Sequence, residues 1–152
     1  MKPQAKQQAD ILQDLVQVAR DSKSFYDSAA KAVDKPKVKA EFQRMSDAKG
    51  ELISALSVHI SARGERPDTG GTFAGTMRKA YGEMLAALGR KDHAAYTYAA
   101  QLEETEDRLL KHFERAMGES DSPQVREVLM AQLPKMRQCH EEMERLKIAL
   151  AA

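Results

Sequence analysis

Apolar residues recur at three- and four-residue intervals along four long stretches, the spacing of one face of an α-helix. The first covers residues 8–33, with Leu12, Leu15, Val16, Ala19, Ser22, Tyr26, Ala29, Ala30 and Val33 in register. Asp34-Lys35-Pro36 breaks it, because proline disfavours helix in the residue before it and suits the first turn of the next. The second covers 37–63, with Val38, Phe42, Met45, Lys49, Leu52, Ile53, Leu56 and Ile60 on one face and Gly64 as a left-handed terminator. The third, over 93–117, reads Ala95, Tyr96, Ala99, Glu103, Glu106, Leu110, Phe113 and Met117, with Asp92 as N-cap and Gly118 as stop. Ser122-Pro123 opens the fourth, whose stripe is Val125, Leu129, Gln132, Leu133, Met136, His140, Met143, Leu146 and Lys147. Pro134 lies inside that stretch, removes the hydrogen bond to the Met130 carbonyl and predicts a bend.

Four helices of about 25 residues are each about 38 Å long. Two of the joins are short, so the helices pair into two antiparallel hairpins. The third join is long. Its 64–71 segment is a turn-rich loop, and 72–88 is a shorter amphipathic helix with Phe73, Met77, Tyr81, Met84, Leu85 and Leu88 in register. About 25 Å of helix is enough to return along the bundle, which lets helices two and three run parallel, the ferritin-like arrangement. The expectation is an all-α, ferritin-like four-helix bundle with a long crossover containing a short extra helix, forming one domain over 1–152. An up-down bundle with an appended fifth helix is the alternative.

Composition narrows the function classes. Of 152 residues, 42% are hydrophobic and 31% charged, with few Gly and Pro, which suits a charged-surface helical protein rather than a disordered one. The formal net charge of +1 provides no global field for nucleic acid or an anionic membrane. Charge is uneven all the same: residues 93–121 hold three basic residues against seven acidic ones, a local balance of −4. No stretch has the apolar length of a membrane span and the N-terminus has no signal-peptide core. The single cysteine, Cys139, fits a reducing compartment, so a cytoplasmic location is expected.

The most informative anomaly is Glu103 with Glu106, two carboxylates on an otherwise apolar stripe. Charged groups there are costly unless paired, protonated or metal-bound. Ferritin-like di-metal proteins bring inward one Glu from each of two helices and a Glu-x-x-His from each of the other two. Here those positions read Glu51-x-x-Ser54 and Arg137-x-x-His140, and Asp14 and Asp21 only flank the first stripe. Three candidates remain for a metal such as Fe or Mn: Glu103, Glu106 and His140. Lys49 offers another resolution, since it interrupts the second stripe at the same depth. Its ammonium would take the place of a metal and pair with Glu106, or else would snorkel to water.

The chain resembles a family of uncharacterised bacterial proteins classed as a domain of unknown function with a ferritin-like fold. The likeness is carried by Phe25-Tyr26-Asp27-Ser28-Ala29-Ala30 leading to Asp34-x-Pro36, by Glu103-x-x-Glu106-Asp107 with Phe113 and Ala116, and by His140 followed by Arg145-Leu146. It covers nearly the whole chain and implies the fold, but no activity.

Other constellations point to packing rather than chemistry. Met136, Cys139, His140 and Met143 share one face of the fourth helix and are of the type that holds Cu(I), but Met and free Cys are ordinary core residues. His59, His93 and His112 share no face. No nucleophile elbow or glycine-rich phosphate loop is present. The expected function is therefore non-enzymatic: a bundle working through protein–protein contact as a homo-oligomer, a dimer first, in a bacterial stress or storage context and without a cofactor. A carboxylate-rich metal-binding protein and a small-molecule or lipid binder are the alternatives.

Overall fold

A computed structural model of the chain describes residues 4–67 and 94–151. Among these residues are four helices and no strand: α1 (Gln4–Ala32), α2 (Pro36–Ser61), α3 (Ala94–Glu119) and α4 (Pro123–Ala151). The crossover helix expected over 72–88 lies outside the described residues, as do Asp92 and His93.

Local chemistry sets the helix ends. Pro36 starts α2 after an extended Lys35, with no side-chain cap. At the other end Gly64 takes φ 78°, the left-handed conformation in which a Cβ is strained. The turn closes through Gly64 N–H to the Ser61 carbonyl at 3.0 Å and Glu65 N–H to the Ile60 carbonyl at 3.3 Å. At the head of α4, Ser122 Oγ accepts from the Val125 amide at 3.3 Å, ahead of a proline that has no N–H to satisfy. Ser122→Ala should destabilise the protein by about 1 kcal/mol and Ser122→Gly by a few tenths, read as a shift in the urea midpoint at unchanged slope.

Helix directions follow from pairs across the bundle. The short turns make α1 and α2 antiparallel, and likewise α3 and α4. Ser120 Oγ, at the end of α3, donates to Gln8 Oε1 near the start of α1 at 2.6 Å, so these two also run oppositely. Arg44, early in α2, faces Glu142, late in α4, at 3.8 Å, giving the same relation for that pair. Hence α2 and α3 point the same way across the diagonal.

The α1 and α2 stripes are buried as the periodicity predicts, from Leu12 to Val33 and from Val38 to Ile60. On α3 the buried face is rotated from the expected one. Tyr98, Leu102, Thr105, Leu109 and Ala116 join Ala99, Glu106, Leu110 and Phe113 inside, while Glu103 and Met117 move to the flank. On α4 the buried line is Val125, Leu129, Met136, Cys139 and Met143, with His140 half-buried. Pro134 sits on the exposed side of α4, where its missing N–H costs the core nothing. No helix among the described residues is long and apolar enough to cross a membrane.

Candidate functional site

Four polar or reactive side chains, one drawn from each helix, come together in the bundle interior: Tyr26 from α1, Lys49 from α2, Glu106 from α3 and Cys139 from α4. All four lie on the inward face of their helix, so the same periodicity that buries Leu and Phe also buries them. Lys49 Nζ forms an ion pair with Glu106 Oε1, and the two side chains are 0% and 1% exposed. The Tyr26 ring lies beneath the ammonium, its centroid 5.5 Å from Nζ, within range of a cation–π attraction. On its other side the ring packs tilted against Phe42, with centroids 6.3 Å apart.

The contacts are close but poorly aligned. The Lys49 ammonium, both Glu106 oxygens and the Tyr26 hydroxyl each lack a hydrogen bond of good geometry. Attraction here is therefore mainly Coulombic, in a low-dielectric setting where a charge left alone is expensive.

The electrostatics bear that out. Burial pushes the Glu106 carboxyl above its ordinary value, and Lys49, the Tyr26 hydroxyl and His140 only partly pull it back. Burial also drives the Tyr26 phenol well above its usual range, with the Glu106 charge adding to the rise. The Cys139 thiol is raised by burial too; Lys49 opposes the shift and Glu106 reinforces it. Chemically this is a phenol and a thiol kept protonated around one salt bridge. A thiol in that state is a poor nucleophile. Cys139 is expected to react with iodoacetamide only as fast as the protein opens, so its modification rate should climb with urea in step with global unfolding.

The three residues singled out for a metal separate in space. Glu106 belongs to the central pair. His140 is half-buried and close enough for its charge to act on Glu106. Glu103 turns to α4, where its Oε2 meets Lys147 Nζ at 3.0 Å, and the carboxylate holds that ammonium above its usual range. Among the described residues no group of three His, Cys, Asp or Glu side chains is placed to hold a metal ion.

Sequence reasoning passed over two members of the cluster. Tyr26 reads in the sequence as an apolar stripe residue, although a phenol on a core face signals a polar partner. Cys139 was grouped with His140, its neighbour about 100° round the helix, and periodicity does not say which of two neighbours faces inward.

The profile of one family, described as a domain of unknown function (DUF2383), matches residues 7–119. No curated protein and no solved structure matches the chain.

Proposed function

The chain belongs to the DUF2383 family, a domain of unknown function, and from that premise we propose a non-enzymatic, ferritin-like bundle that works through protein–protein contact. The observation that carries this reading is the Lys49–Glu106 pair at the centre of the four helices. A ferritin-like di-metal centre would need carboxylates from all four helices at that depth. Among the described residues one carboxylate, Glu106, is fully buried and an ammonium is set against it, and a fixed positive charge repels a divalent cation while neutralising the ligand it would use. The arrangement suits a bundle whose interior serves packing and whose outer faces serve partners. Val58 on α2 and Met130 and Ile148 on α4 are large apolar side chains left well exposed, and they are candidates for such contact.

The partner favoured first is a second copy of the chain, since two-fold dimers are the commonest closed assembly. Light scattering on the full chain should give twice the monomer mass. A monomer at every concentration would remove the homo-oligomer from the proposal.

The alternative is a carboxylate-type metal protein, and the proximity of His140 to Glu106 is what favours it. Metal analysis of protein purified without chelator, from cells supplied with iron and manganese, separates the two. The contact reading expects less than stoichiometric metal, unchanged by His140→Ala. One equivalent of Fe or Mn that is lost with His140→Ala would replace it with the metal reading.

A further inference from the structure

Two of the large apolar side chains left on the surface, Met130 and Ile148, belong to α4 and are 60% and 61% exposed. They stand 18 residues apart, which is five complete helical turns. Both therefore point the same way from the helix, at levels about 27 Å apart. Between them on that outward face lie Pro134, Arg137 and Glu141, all exposed. Arg137 and Glu141 are four residues apart, yet among the described residues neither forms an ion pair. A cation one turn ahead of an anion is the weaker order for pairing along a helix, so both charges are available to a partner.

The face is complementary to itself. Reversing α4 about the level of Cys139 carries Met130 onto the level of Ile148 and Arg137 onto that of Glu141, since each pair is centred on that residue. Over residues 127–151 this register sets no like charges at one level, and the charges it does set together are Arg137 and Glu141. A two-fold dimer makes contacts of this kind, in which residue i of one copy meets residue j of the other and j meets i. Apolar side chains and arginine are also the residue types that such interfaces favour.

We propose that a second copy of the chain docks on this face, the two α4 helices lying antiparallel across a two-fold axis at the level of Cys139. Met130 of each copy packs on Ile148 of the other at the two ends, and two Arg137–Glu141 pairs flank the axis. The inference rests on the homo-oligomer reading above and assigns that contact its surface.

The test is sedimentation equilibrium of the full chain and of charge-reversed variants. Arg137→Glu and Glu141→Arg each set like charges at both central contacts and should raise the dimer dissociation constant by at least about tenfold. Both side chains are exposed, so neither change touches the core. When the two variants are mixed, a heterodimer has opposite charges at both contacts, so the equimolar mixture should recover close to native affinity. The chain carrying both substitutions should do the same, and Ile148→Asp should weaken the dimer without being rescued by either. A native dimer that neither charge reversal weakens keeps the contact reading and overturns this face. So does a weakening that the mixture fails to restore. A native chain that is monomeric at every concentration removes the dimer itself, and this face with it.

Discussion

Lys49→Met is expected to lower the unfolding free energy by about 3–5 kcal/mol, because it strands the Glu106 carboxylate in the core without its cation. That is a large part of the roughly 5–15 kcal/mol that holds a typical domain folded. Lys49→Met together with Glu106→Leu removes both charges at similar volume and should be neutral or more stable than the native chain, by up to about 4 kcal/mol. The contrast excludes a simple packing explanation, since the methionine is common to both variants. Glu106 also gives the single variant a pH signature. Its folded-state carboxyl already lies above the ordinary value of 4.5, since burial outweighs the pull of Lys49. A carboxyl raised in the folded state contributes stability that is present in full below about 4.5 and is lost as the pH climbs through the folded value. Without the ammonium that folded value rises further, so the loss continues to higher pH. Lys49→Met should therefore be nearest to native stability in acid and furthest from it at neutral pH and above, while the double variant lacks this slope. Urea unfolding across that range measures both effects. A fully stable Lys49→Met would mean that the pair contributes nothing.

This central pair also marks how far the sequence could be read. Lys49 was visible because it is the one charge in an aliphatic row running from Val38 to Ile60, and only a core face has so regular a row. The four rods, the breaks at Pro36 and Ser122, and the left-handed Gly64 were legible for the same reason: each has a local physical cause within a few residues. The choice between Glu103 and Glu106 had no such cause. Three residues apart, they lie about 60° from each other around α3, so both fit one broad stripe. What divides them is the element each one faces. Lys49 on α2 draws Glu106 inward and Lys147 on α4 holds Glu103 at the flank, and both cations come from distant parts of the chain. Gln8 was hidden in the same way. Its partner Ser120 is more than a hundred residues away, and only the assembled bundle brings the two ends together.

Tyr26 ties the aromatic and ionic halves of the core together, and its variants should separate those contributions. Tyr26→Ala removes a fully buried ring that contacts both Phe42 and the Lys49 ammonium, and is expected to cost about 3–5 kcal/mol, as large-to-small aromatic changes in well-packed cores do. Tyr26→Phe keeps the ring and the cation–π face, so the packing and most of the attraction for Lys49 survive. It removes only the hydroxyl, which helps to hold the Glu106 carboxyl down. The expected loss is at most about 1 kcal/mol, because the hydroxyl acts on Glu106 without a well-aligned hydrogen bond. That loss should itself depend on Glu106. In the Lys49→Met, Glu106→Leu background there is no carboxylate to serve, and Tyr26→Phe then removes a hydroxyl that has lost its acceptor, so the change should become neutral or stabilising. A double-mutant cycle by urea unfolding reads the difference directly. Equal costs in the two backgrounds would show that the hydroxyl does not act on Glu106, and that Tyr26 holds its place in the core through its ring alone.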